Sequence, residues 1–172
     1  LVAEINTRFD VPHSRFNEIF QSDMERCGLK VLAASKEAGV HLAVSPDGFR
    51  TVFFQGHPEY DDISLLKEYK REVMRFYRRE RTDYPPFPEH YFNDIAQQIF
   101  SDYERHVRSV RETEKKLDEF PEALVLEHID NTWKDTAKAV FNNWLGKIYQ
   151  LTNQDRRLPF MDGVDPNNPL GL

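Results

Sequence analysis

His57 and Glu59, inside Gly56-His57-Pro58-Glu59-Tyr60-Asp61, have the residue types and spacing to do acid–base chemistry. In an extended segment, side chains at i and i+2 point to the same side. Pro58 pushes His57 toward extended backbone and stiffens the link. Glu59 can then accept a hydrogen bond from one ring nitrogen, fix the tautomer and stabilise an imidazolium. That is the base and orienting acid of a nucleophile–histidine–acid site. The opposing reading is a structural histidine beside a helix-capping carboxylate, because His-x-Glu is short and common by chance.

A nucleophile is harder to find. Cys27 is the single cysteine. It stands at the end of a short helical pattern just before Gly28, and helix C-termini raise a thiol pKa where N-termini lower it. Cys27 is therefore expected to be a packed apolar residue. Ser14, in Pro12-His13-Ser14-Arg15, has a histidine neighbour, but adjacent side chains in a strand point apart; a turn or substrate-contact role suits it better. Arg71 could hold a substrate carboxylate bidentately, or be an ordinary exposed helical arginine. His-x-Glu also occurs in zinc deaminases, where a downstream Cys-x-x-Cys completes the site; a single cysteine cannot supply one, so no metal is expected. His13 and His41 would be ligands only by tertiary accident.

The elements that must position these groups follow from periodicity. Ser22 to Glu25 fits a capping box opening a short helix closed by Gly28. Strands are expected at Leu29 to Ala34, Val40 to Val44 and Phe49 to Phe54, the last two joined as a hairpin by Ser45-Pro46-Asp47-Gly48. The second arm delivers His57. A helix over 61–81, capped by Asp61 or Asp62, carries an apolar line of Leu66, Tyr69, Val73, Phe76 and Tyr77. Tyr84-Pro85-Pro86-Phe87-Pro88 cannot continue it. A long helix over 93–118 starts at Asn93, with a stripe of Ile95, Ile99, Tyr103, Val107 and Val110. A further helix runs from Asn131 to Leu151, with Trp133, Ala137, Val140, Phe141, Trp144, Ile148 and Tyr149 facing inward. From Thr152 the chain is rich in Pro, Asn, Asp and Gly.

The division expected is 1–81 as an α/β portion, 82–130 as a Pro-rich loop and charged helix, 131–151 as a closing helix and 152–172 as an irregular tail. Three strands make a poor stand-alone α/β core. Residues 1–60 are expected to complete a larger sheet whose other strands lie outside this chain of 172 residues. The start lacks both an initiator Met and a signal peptide's basic and apolar regions, so a fragment or processed product is expected.

Composition bounds the partners. Apolar residues make up 40% and charged residues 30%, with a net charge of −6 and pI near 5.5. That balance argues against general nucleic-acid or anionic-membrane binding. No apolar run approaches the roughly 18 residues of a membrane helix. Cytoplasm is the expected compartment.

Pro12-His13-Ser14-Arg15, Gly56-His57-Pro58-Glu59-Tyr60-Asp61 and Arg71, at these separations, resemble the C-terminal half of the homoserine O-succinyltransferase family of methionine biosynthesis. Asn142-Asn143-Trp144-Leu145, followed by Tyr149 and Gln150, resembles the family's last helix. The resemblance implies a flavodoxin-like α/β sandwich similar to the class I glutamine amidotransferase domain, with a mostly helical extension. It implies a cysteine nucleophile acylated by succinyl-CoA, or acetyl-CoA in some members, and transfer to the hydroxyl of L-homoserine, with no cofactor beyond the acyl-CoA co-substrate. It makes His57 the general base, Glu59 its partner, and Ser14 and Arg71 substrate contacts. The nucleophile, oxyanion hole and a substrate-binding lysine belong to the N-terminal half, so that half is an implied partner, and a homodimer is expected. A homoserine O-acetyltransferase, a class I glutamine amidotransferase subunit and a non-enzymatic helical interaction domain are the competing readings.

Overall fold

A computed structural model describes residues 1–113 and 116–152. The expected irregular tail beyond residue 152 lies outside the described residues. The chain is mixed α/β, in the order α1 (Gln21–Arg26), β1 (Lys30–Ser35), β2 (Gly39–Val44), β3 (Val52–Phe54), α2 (Ser64–Tyr77), α3 (Asp94–Thr113), α4 (Glu122–Val125), a 3₁₀ turn (Leu126–His128) and α5 (Lys134–Thr152). Two compact units divide the described residues: residues 1–59 with 132–152, and residues 60–131.

The first unit holds an antiparallel sheet of order β1-β2-β3. β2 is its central strand and is buried from Val40 to Val44, so both its faces are covered. Met24 of α1 packs with Val40 and Ala43. α1 begins two residues earlier than a Ser22 cap requires: Phe20 is the N-cap and its carbonyl takes the amides of Asp23 and Met24. The capping box is therefore not formed. The C-terminus behaves as expected. Gly28, at φ 79°, closes a Schellman turn with Leu29 N–H on Met24 O at 3.0 Å and Gly28 N–H on Glu25 O at 2.9 Å. Cys27, expected to pack among apolar groups, is exposed at the C-cap; a six-residue helix that buries Met24 leaves its cap outside the apolar face.

β3 is three residues long, not six, and pairs Val52 with Val44 through Phe54 with Leu42. The turn consumes the rest. Asp47 Oδ1 accepts the amides of Phe49 and Arg50 and the Ser45 hydroxyl, which holds its carboxyl down at about 2. Those amides are then unavailable to a ladder. α5 closes this unit with Trp133 and Val140 buried, whereas Phe141 and Tyr149, expected inward, are 58% and 42% exposed. Asn143 donates to the carbonyls of Leu1 and Ala3, and Trp144 Nε1 to that of Phe49. The second half of α5 is thus tied by polar bonds more than by an apolar stripe.

The second unit is built on aromatic packing between α2 and α3. Tyr69 meets Phe87, Phe92, Phe100 and Phe120 edge-on, with centroids 5.2–6.4 Å apart. α2, expected to belong with the first segment, shares this core. It stops at Tyr77, well before the prolines, in a second Schellman turn: Arg79 N–H bonds Phe76 O at 3.1 Å and Glu80 N–H bonds Arg75 O at 2.9 Å. Arg79 occupies the left-handed position at φ 65°, where no glycine announces it. Neither Asp61 nor Asp62 caps α2, whose N-cap is Ile63; Asp61 instead accepts the Ser64 hydroxyl at 2.6 Å.

Asn93 does cap α3, accepting the Ala96 amide at 2.9 Å. The helix ends at Thr113, and its buried face is Ala96, Phe100, Tyr103, Val107 and Val110. Ile95, expected in the stripe, is 54% exposed. The N-terminal part of the buried stripe lies one residue out of phase with the expected one, because Ala96 is small and Ile95 is the stronger hydrophobe. None of the described helices is long and apolar enough to cross a membrane.

The corrected phase is testable by denaturation of the full-length protein. Phe100→Ala is expected to destabilise by about 3–5 kcal/mol, because the side chain is wholly buried. Ile95→Ala should change stability by less than about 0.5 kcal/mol; the opposite ranking would restore the original stripe.

Candidate functional site

The His57 loop is seated on the segment 12–14. β3 ends at Phe54, and Gln55 continues the ladder by donating its amide to His41 O at 2.9 Å. The Gln55 side chain bonds the carbonyls of Val40 and Ile19 and accepts the Ile19 amide. His57 N–H then donates to Pro12 O at 2.7 Å. Gly56 makes this possible. A Cβ there would lie 2.9 Å from Pro12 O, 2.9 Å from His13 Nε2 and 2.8 Å from His41 Nδ1, all closer than a side chain tolerates. The need is for close approach, not for a positive φ.

His57 Nδ1 lies 2.8 Å from Glu59 Oε1, and Nε2 lies 3.3 Å from the Ser14 carbonyl. The ring is 32% exposed and Glu59 66% exposed. A carboxylate and a carbonyl both only accept. With the Nδ1 proton on Glu59, a neutral His57 keeps its lone pair on Nε2. When Nε2 takes a proton, it gains the Ser14 carbonyl as an acceptor. This geometry can orient a base and gives its second ring nitrogen an acceptor.

Of the residues expected at a site, Ser14, His57 and Glu59 come together. Ser14 meets the ring through its backbone carbonyl. Arg71 belongs to the second unit, on α2, where its Nε donates to Glu72 at 3.2 Å and its side chain is 60% exposed.

Sequence reasoning gave His13 and His41 no role in catalysis. Their rings stand 5.8 Å apart beneath Gly56, and His41 also packs against Phe9 and Phe54. Arg15 donates to His13 Nδ1, so the nitrogens that face Gly56 are His13 Nε2 and His41 Nδ1. Burial, then the neighbouring His13, pushes His41 down to about 4. Burial, then Arg15, then His57, lowers His13. The available signal was a histidine in the otherwise apolar strand Gly39–Val44.

A family profile described as homoserine O-succinyltransferase matches residues 1–154. The chain belongs to the homoserine O-succinyltransferase family. It is 84% identical, over its whole length and 49% of the relative's, to the homoserine O-succinyltransferase of Methylobacter tundripaludum. Identity is 66% to that of Methylococcus capsulatus and 57% to that of Thiothrix nivea, again over all of this chain and 48% of each relative. The chain thus spans about half the length of the curated relatives it matches. The two motifs on which the resemblance stood form one structural unit in this family member, with Pro12 and Ser14 carrying the carbonyls that meet His57.

His41 sets a pH dependence. The folded ring stays neutral down to about 4, whereas the unfolded ring protonates near its ordinary value of about 6.5. Between those values the unfolded chain binds the extra proton, so stability falls as pH drops and levels off below the folded value. Denaturation midpoints of the full-length protein at pH 7 and 4.5 should show a wild-type loss larger than that of His41→Phe by on the order of 2 kcal/mol. Equal losses would mean His41 is not held neutral.

Proposed function

We propose that the full-length protein transfers a succinyl group from succinyl-CoA to the hydroxyl of L-homoserine through a cysteine thioester, with His57 as base. The observation that carries this is the His57–Glu59 hydrogen bond at 2.8 Å with Nε2 turned to the Ser14 carbonyl, in a member of this family. The nucleophile is supplied from outside this chain. Cys27, exposed at the C-cap of α1, is not that nucleophile.

His57 Nε2 takes the proton of the nucleophilic thiol as sulfur attacks the succinyl thioester. The tetrahedral centre collapses, the carbon–sulfur bond to coenzyme A breaks, and the imidazolium returns the proton to the leaving thiolate. In the second half, Nε2 takes the proton of homoserine's hydroxyl as its oxygen attacks the enzyme thioester. The enzyme's sulfur leaves and recovers the proton. Splitting the transfer this way gives ping-pong kinetics. Glu59 holds the tautomer with Nε2 available in both halves. Ser14 contacts substrate, and Arg71 binds the homoserine carboxylate. A bidentate pair can use the two Nη groups, whereas the bond to Glu72 is made by Nε.

The remaining half of the protein is the first partner. Phe16 is 98% exposed, and Ile19 and Phe20 are 54% and 59% exposed, directly after Ser14-Arg15; apolar groups so placed call for cover. A cytoplasmic homodimer that uses acyl-CoA without a further cofactor completes this proposal.

In the full-length protein, His57→Ala should lower succinyl transfer by roughly 10²–10⁴-fold, the range for losing a general base, while the circular dichroism spectrum is kept. Cys27→Ser should leave the rate within about twofold, as expected for an exposed side chain outside the chemistry. Near-normal transfer by His57→Ala, or loss of the acyl-enzyme in Cys27→Ser, would overturn these assignments. Release of ammonia from glutamine in place of acyl-CoA consumption would mark an amidotransferase.

A further inference from the structure

The Arg15 guanidinium carries only donors and cannot lose its proton. Its bond to His13 Nδ1 therefore requires a lone pair on that nitrogen. The His13 ring is then neutral, with its proton on Nε2. Arg15 is itself fixed: it donates to Ala38 O at 2.6 Å and lies 3.5 Å from Glu18 Oε1. Ala38 belongs to the β1–β2 turn, and the next residue, Gly39 at the start of β2, faces Glu18 so closely that a Cβ would lie 1.8 Å from Glu18 Oε1. The segment after Ser14 is thus clamped onto the rigid sheet.

The far edge of the His13 ring points the other way. Its Nε2 and His41 Nδ1 both face the bare Cα of Gly56. His41 is 6% exposed, and its Nδ1 has no hydrogen-bond partner among the described residues. An unpaired buried nitrogen costs stability, so the site holds a ring there at that expense. His13 sits between the two residues whose carbonyls meet His57: Pro12 takes its amide, and Ser14 faces its Nε2. A rotation of the His13 backbone would move both acceptors at once.

We propose that His13, locked by Arg15 in the Nε2-protonated form and packed on His41 beneath Gly56, is a positioning residue for the catalytic histidine His57. It touches no reacting atom. It holds the Pro12 and Ser14 carbonyls where the His57 amide and Nε2 need them. The inference rests on the assignment of His57 as base made above.

The test uses full-length protein with wild type, His13→Leu, His13→Asn and Arg15→Met, read by steady-state kinetics and by ¹⁵N-histidine NMR at neutral pH. Asparagine keeps an acceptor near the place of Nδ1; leucine keeps volume and removes it. His13→Leu and Arg15→Met should lower kcat by roughly 10–100-fold, as misplacement of a catalytic group by about an ångström does. The KM for succinyl-CoA should stay within about threefold, since neither side chain binds it. His13→Asn should recover most of the loss. The wild-type spectrum should show His13 protonated on Nε2 alone. The downfield proton of His57 bonded to Glu59 should be present in wild type and His13→Asn and lost in His13→Leu. A kcat within twofold in both His13→Leu and Arg15→Met, or a wild-type His13 protonated on Nδ1, overturns the proposal. Should His13→Leu not fold, Arg15→Met and the wild-type spectrum decide it. Failure of the functional assignment looks different: wild type would then transfer no succinyl group, and the tautomer and the His57 proton would still judge the positioning claim.

Discussion

The hydrogen bond from the His57 amide to the Pro12 carbonyl, made across the bare face of Gly56, is the constraint on which the site depends. It fixes the backbone of a loop that has already left the sheet. Each neighbouring feature supports it. Gln55 ties the loop's start to β2 and to Ile19. Pro58 limits the backbone that follows. Gly56 lacks the Cβ that would press on the Pro12 carbonyl. Once the backbone is set, the Glu59 bond needs just one rotamer of His57, and Nε2 is left on the side of Ser14.

Part of the local geometry was legible in the sequence; the long-range geometry was not. The i, i+2 relation of His57 and Glu59 needs only an extended backbone and a proline, and the structure shows the pair bonded. Gly28 announced the end of α1 and Asn93 the start of α3, because each works through bonds within a few residues. Arg15 and His13 are two residues apart, whereas the contacts of Arg15 with Ala38 and of His13 with His41 join segments far apart in the chain. No spacing rule reaches across such distances. Pro12-His13-Ser14-Arg15 could be noticed as a motif, but its work is done by backbone carbonyls, which every residue owns.

The misplaced elements have specific causes. Periodicity ranks residues by hydrophobicity, so Ile95 outweighed Ala96; packing ranks them by fit, and the small residue is the one wholly buried. The end of α2 was missed because its left-handed residue is Arg79. A non-glycine there costs about 1 kcal/mol or more, and the turn supplies two backbone hydrogen bonds in return. β3 lost its first half to Asp47, whose side chain takes the amides that a strand would have offered. In each case a local polar or steric detail overrode a pattern averaged over several residues.

The exposure of the pair decides what Glu59 can contribute. Its carboxylate is 66% exposed and the ring 32%. Coulomb attraction between groups so wetted is worth about 1 kcal/mol at most, too little to define a base by charge alone. Direction is different. A hydrogen bond at 2.8 Å selects one nitrogen and one ring plane even in water, and placing a base correctly is worth far more to a transfer reaction than the ion pair itself. The support beneath the loop is consistent with that emphasis. His13 and His41 sit under it as neutral rings and so hold position without adding charge. A protonated imidazole under Gly56 would oppose the imidazolium that His57 becomes in the proposed reaction. A neutral packed support leaves that step unopposed, and for that reason buried histidines are suited to this place where a lysine or arginine would not be.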